Sequence, residues 1–153
     1  MPDIKVDDGC SIHVEVEGPE RAPVLMLSNS LGTDLHMWDE QVAPFTKHFR
    51  LVRYDRRGHG QSDAPKGPYS MARLGRDVVG VLDGLGIAKI NWCGLSMGGM
   101  VGMWIGANAG DRVNKLILSN TSRCRRGLAR PARAMLQVCE HQGGNSNARH
   151  QSR

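Results

Sequence analysis

The chain has 153 residues, 40% of them hydrophobic and 23% charged, with four cysteines and a formal net charge of +5. That length points to one domain with apolar content for a real core, and no stretch approaches a membrane span or a basic-then-apolar leader, so a cytoplasmic protein is expected. Cys10, Cys93, Cys124 and Cys139 form no C-x-x-C pair and suggest no disulfide framework, and the positive charge is local: residues 123–153 carry seven arginines and one acid, Glu140, whereas residues 1–122 are close to neutral. A nucleic-acid-binding reading of the whole fold therefore fails.

The elements follow in chain order. Lys5–Val6 and Ser11–Val16 read as two short strands around a turn at Asp7-Asp8-Gly9. In the second, Ile12, Val14 and Val16 alternate with His13, Glu15 and Glu17, the pattern of a half-exposed edge hairpin. Val24–Leu27 is a continuous apolar run, expected for a strand buried on both faces, and it ends in the small polar loop 28–34. Thr33 or Asp34 can cap a helix reaching about Lys47, with Leu35, Trp38, Val42 and Phe45 on one face. Arg50–Tyr54 is another strand, and 55–63 a loop. Tyr69–Leu85 reads as a helix with Leu74, Val78, Val81 and Leu85 at helical spacing.

An apolar strand, Ile87–Cys93, then runs into Gly94-Leu95-Ser96-Met97-Gly98, and a helix-like segment, Met97–Ala107, follows. Strand, G-x-S-x-G and helix in that order describe a nucleophile elbow. Such a turn holds its serine in a strained backbone conformation, and glycines at 94 and 98 leave room where strand and helix cross. Val113–Leu118 is one more buried-type strand. Strands alternating with helices predict a mostly parallel sheet of about six strands with helices on both faces. Ligands then belong at the carboxyl ends of the strands, where loops 28–34, 55–63 and 94–98 converge.

Three segments carry a family likeness: Ser28-Asn29-Ser30-Leu31-Gly32-Thr33-Asp34, Tyr54-Asp55-Arg56-Arg57-Gly58-His59-Gly60 and Cys93-Gly94-Leu95-Ser96-Met97-Gly98-Gly99. By them residues 10–122 resemble the N-terminal half of an α/β-hydrolase. Asn29 and Ser30, where most of that superfamily has His-Gly, are similar to the 3-oxoadipate enol-lactonases of aromatic catabolism (the β-ketoadipate pathway). The resemblance implies an incomplete α/β-hydrolase fold and hydrolysis of a small lactone or ester without a cofactor. It implies Ser96 as nucleophile and the backbone N–H groups of Leu31 and Met97 as the oxyanion hole. Two donors about 3 Å from the developing oxyanion are what acyl transfer to serine needs.

The family also needs an acid and a histidine after the serine. After Ser96 stand only Asp111, Glu140, His141 and His150, and Asp111 precedes the Val113 strand, at the wrong end of the sheet. No triad acid or base is identified, and the family's cap is not recognisable. The chain as it stands is accordingly expected to be nearly inactive and poorly stable, with Val113–Leu118 left as an apolar sheet edge open to self-association.

Other candidates have plainer readings. His59 is read as loop structure rather than base, and Trp38 as core with pocket lining as the second reading. His13, His36 and His48 are unassigned, with His13 and His48 expected at the surface. Met97, Met100 and Met103 pack the helix behind the elbow. Cys124, Cys139, His141 and His150 have no zinc spacing, so no metal is expected. From Arg123 the composition changes abruptly. Residues 123–153 are expected to be a basic, disordered tail unrelated to the preceding fold, with a short helix between Ala129 and Cys139, as a reading-frame shift near Thr121–Arg123 would produce. Two alternatives stand beside the lactonase reading. One is a generic carboxylesterase; the other is an interaction module using the basic tail on an anionic partner.

Overall fold

The computed structural model describes residues 3–122 and the backbone of residues 136–138. The strands are β1 (Ile4–Lys5), β2 (Ser11–Ile12), β3 (Val14–Glu17), β4 (Val24–Ser28), β5 (Arg50–Tyr54), β6 (Ile90–Leu95), β7 (Val113–Ser119) and β8 (Leu136–Val138). The helices are α1 (Asp39–Phe45), α2 (Met71–Gly84) and α3 (Met97–Asn108). β1 and β2 form an antiparallel ribbon. The other six strands form one sheet in the order β3-β5-β4-β6-β7-β8, parallel except for β3. The sheet is mostly parallel, as the strand and helix alternation predicts. No helix among the described residues is long and apolar enough to cross a membrane.

The sheet has a core on each face. On one, Met26, Val52, Trp92, Leu116 and Leu118 meet Leu74, Val78, Val81 and Leu82 of α2 and Val101 and Ile105 of α3. On the other, Leu25, Leu27 and Leu51 are covered by Trp38, Val42 and Phe45, the apolar face foreseen for the first helix. That first helix is shorter than the expected span to Lys47. Asp34 caps a 3-10 turn, Leu35–Trp38, by accepting from the His36 N–H, and α1 proper runs only from Asp39 to Phe45.

Four further expectations are corrected. The single strand Ser11–Val16 is two strands in different sheets. The break is at His13, whose carbonyl accepts from the Asp55 N–H (3.0 Å) and whose N–H donates to Ser62 Oγ (2.8 Å). β6 starts at Ile90, not Ile87, because the carbonyls of Ile87 and Ala88 accept from the Arg112 guanidinium (2.9 Å each) instead of joining the ladder. β7 is not a bare edge. Leu116, Ile117 and Leu118 pair in parallel with Leu136, Gln137 and Val138. Residues 136–138 are thus extended, neither disordered nor helical, and the edge offered for self-association is occupied at those three positions. The remaining expectations for the basic tail, with Cys124, Glu140, His141 and His150, lie outside the described residues.

Candidate active site

Register brings the three loops together. Leu27 is the neighbour of Arg53, Ser28 of Gly94 and Leu95 of Ser119, so the carboxyl ends of β5, β4, β6 and β7 lie side by side. Ser96 sits between the last residue of β6 and the first of α3, with φ 53° and ψ −111°. A positive φ on a non-glycine side chain is costly and is kept only where the surroundings impose it. The imposing bonds are visible. The Ser96 N–H donates to Ser119 O (2.9 Å), and the Ser96 carbonyl accepts from Thr121 Oγ1 (2.7 Å) and the Met100 N–H (3.2 Å). Gly98 is needed for space, since a Cβ there would stand 2.2 Å from the Ser28 carbonyl oxygen. At Gly94 it would stand 2.3 Å from the Gly98 oxygen. Met97, the first residue of α3, has an N–H with no acceptor inside its own helix, as any first-turn amide does.

The facing loop, 28–34, is held by side chains from 55–61. Arg56 is buried (2% exposed) and donates Nη1 to Asn29 O (2.8 Å) and Nη2 to Ser30 O (2.7 Å). Burial lowers its pKa from the ordinary arginine value. Thr33 Oγ1 also donates to Ser30 O (2.9 Å). Asp55 accepts from the Leu35 N–H (2.8 Å) and the Gln61 N–H (2.9 Å). The Asn29 carbonyl accepts in addition from the Gly98 N–H (3.1 Å), which joins the loop to the start of α3. Leu31 itself is 61% exposed at the tip. Ser96, Leu31 and Met97 therefore lie on converging loops at the carboxyl end of the sheet.

His59 has both ring nitrogens turned to backbone. Nε2 accepts from the Gly32 N–H (3.2 Å), which leaves the proton on Nδ1, facing Arg57 O (3.3 Å). Trp38 is half-buried; its ring covers Leu25, Leu27 and Leu51, and its Nε1–H donates to Asn29 Oδ1 (3.2 Å). His13 is more enclosed than expected, its side chain 14% exposed and paired with Asp3 (2.9 Å). His36 and His48 are at the surface. Met97 and Met103 pack against the core behind the elbow, as expected. Asp111 lies in the turn Gly110–Arg112 that enters β7, at the opposite end of that strand from Ser96. It is the only carboxylate after Ser96 among the described residues, which include no histidine after it. Asp7, Asp8 and Asp77 bring ligand atoms within 4.8 Å of one another, but Arg57 and Arg73 already answer their charge. Sequence reasoning missed Arg56 and Thr121 at the site and read Thr33 only as a possible helix cap, whereas all three donate to backbone carbonyls.

Comparison with known proteins identifies the family and the fold. The family described as alpha/beta hydrolase fold matches residues 23–138. The 3-oxoadipate enol-lactonase 2 of Acinetobacter baylyi is 42% identical over 126 residues, 82% of this chain and 47% of that protein. The crystal structure of the enol-lactonase from Burkholderia xenovorans LB400 superposes with a TM-score of 0.76 at 51% identity, covering 78% of this chain and 46% of the other. A hydrolase from Pseudomonas aeruginosa PA01 gives a TM-score of 0.77 at 48% identity, covering 78% and 45%. The chain spans less than half the length of these relatives.

Proposed function

The chain belongs to the α/β-hydrolase family, and from that premise we propose that it carries the nucleophile and oxyanion half of a serine hydrolase for an enol-lactone such as 3-oxoadipate enol-lactone. The observation that carries the reading is Ser96 at φ 53° between β6 and α3, facing the loop of Leu31. Ser96 Oγ attacks the lactone carbonyl and the ring C–O bond opens. The enol oxygen leaves with a proton, and water then cleaves the acyl-serine to the free acid. The tetrahedral oxyanion is met by the N–H groups of Met97 and Leu31, each worth on the order of 10²–10³ in turnover. Trp38, on the same side, stands beside the loop as a candidate for lining the pocket.

The proton taken from Ser96 needs a base, and none of the described residues after Ser96 supplies one. Removing the base of a serine hydrolase costs on the order of 10⁶ in turnover. The 153-residue chain is therefore expected to hydrolyse little by itself. The test is to assay the chain, and a chimera in which the C-terminal part of the Acinetobacter relative follows Thr121, on 3-oxoadipate enol-lactone and p-nitrophenyl acetate. The expected result is lactone turnover by the chimera, lost in Ser96→Ala, with the short chain nearly inert. Ester turnover as fast as lactone turnover would make the protein a general carboxylesterase. Strong activity of the short chain that depends on Ser96 would mean that His59 or another base in this chain completes the site.

A further inference from the structure

The two N–H groups assigned to the oxyanion belong to peptide groups whose carbonyls are both tied from behind. The N–H of Leu31 shares a planar peptide with the carbonyl of Ser30, and that of Met97 with the carbonyl of Ser96. Ser30 O accepts from Arg56 Nη2 (2.7 Å) and Thr33 Oγ1 (2.9 Å). Ser96 O accepts from Thr121 Oγ1 (2.7 Å). In a trans peptide the C=O and N–H point in opposite directions, so a donor fixed on the oxygen sets where the N–H aims. It also polarises the amide and strengthens the N–H as a donor.

We infer that Arg56 and Thr121 are positioning residues that act through peptides 30–31 and 96–97 to aim and strengthen the two oxyanion donors; this rests on the reading of Leu31 and Met97 given above. Three features support it. Arg56 is buried with no carboxylate partner among the described residues, whereas its neighbour Arg57 is paired with Asp77. A buried guanidinium without a counter-charge is costly, and its terminal nitrogens go to the two carbonyls of the oxyanion loop. Its other target, Asn29 O, is shared with the Gly98 N–H, so the same side chain ties the loop to the elbow. The approach of Thr121 is built in. A Cβ on residue 99 would stand 2.6 Å from Thr121 Cβ, and glycine there lets the hydroxyl reach Ser96 O.

The test is a backbone amide NMR spectrum of the ¹⁵N-labelled 153-residue chain and of Thr121→Val, Thr121→Ser, Thr33→Val and Arg56→Met. Thr121→Val is expected to move the Met97 amide proton upfield more than any amide outside residues 94–100, leaving Leu31 in place. Thr121→Ser, which keeps the hydroxyl, should restore it. Arg56→Met should move Leu31 and leave Met97, and Thr33→Val should do the same more weakly. Thr33→Val decides the loop side if Arg56→Met does not fold. A Met97 amide unmoved in Thr121→Val, or a Leu31 amide unmoved in Thr33→Val and in any folded Arg56→Met, overturns the inference on that side. These shifts need no turnover. A chimera without Ser96-dependent lactone hydrolysis would sink the catalytic reading while leaving them in place, and absent shifts beside intact turnover would sink the positioning role alone.

Discussion

Strain at Ser96 can be measured directly. At φ 53° and ψ −111° the residue lies where a Cβ is penalised. Such outliers cost roughly 1–3 kcal/mol. Replacing Ser96 by glycine removes the Cβ and the strain, at a cost of about 0.5–1 kcal/mol of extra chain entropy in the unfolded state. Replacing it by alanine keeps the Cβ. Both variants lose the hydroxyl, so their difference isolates the backbone term. Ser96→Gly should therefore be more stable than Ser96→Ala by about 0.5–2 kcal/mol, a rise in Tm of roughly 2–8 °C for a chain of this size. Urea unfolding midpoints and thermal melts read the difference. Asn120, at φ 44°, is the internal control. Asparagine tolerates positive φ, so Asn120→Gly should gain little. If Ser96→Gly is no more stable than Ser96→Ala, the elbow is not strained and that support for the nucleophile reading is gone.

Other perturbations test the frame around the site. Burial pushes the Tyr54 phenol up to about 12, its hydroxyl bonded to Ser28 Oγ (2.9 Å). A raised pKa gives stability that is intact below the ordinary value of 10.0 and lost as pH climbs past it. Between pH 10 and 12 the parent chain should lose about 2–3 kcal/mol more than Tyr54→Phe, and parallel pH–stability curves would refute this. Asp77 grips Arg57 Nε (2.5 Å) and Nη2 (2.6 Å), with both side chains 3% exposed. Asp77→Asn should cost about 3 kcal/mol in urea unfolding, the lower end for a broken buried pair because Asp8 stays 3.0 Å from Arg57; a loss under about 1 kcal/mol would contradict it. Gly98→Ala puts a methyl against the Ser28 carbonyl at 2.2 Å, so backbone must move. A loss of about 1–3 kcal/mol in thermal unfolding is expected, and an unchanged Tm would mean that the crossing of β4 and α3 is looser than drawn.

Much of the fold was readable because periodicity reports burial. Arg50–Tyr54 is a strand at the residues expected, and Leu74, Val78 and Val81 of α2 are buried at the spacing that predicted them. Where the reading slipped, polar side chains had captured backbone groups that a pattern assigns to a ladder. Arg112 takes the carbonyls of Ile87 and Ala88, and Ser62 takes the His13 N–H. Such captures act across 24 and 49 residues of sequence, so no local window contains them. β8 was missed for a related reason. Leu136-Gln137-Val138 is three residues long, too short for alternation to distinguish strand from helix, and its partner is β7.

The candidate site divides along the same line. Ser96, Gly94 and Gly98 were legible because the elbow is a local event, with strand, turn and helix contiguous in sequence. The side chains that hold it were not. Arg56 reads in sequence as one of two adjacent arginines, and nothing local says that Arg57 pairs with a carboxylate while Arg56 binds two carbonyls. Thr121 stands just past the expected strand Val113–Leu118, yet its hydroxyl lies on the carbonyl of residue 96. A strand–turn–helix elbow advertises itself because it needs particular residue types in one backbone shape. The groups that aim backbone amides need only a hydrogen-bond donor at the right place in space. Arginine and threonine both meet that requirement here, so the requirement leaves no signature in residue type. It is visible only once the sheet has set β4, β6 and β7 side by side, Ser28 beside Gly94 and Leu95 beside Ser119.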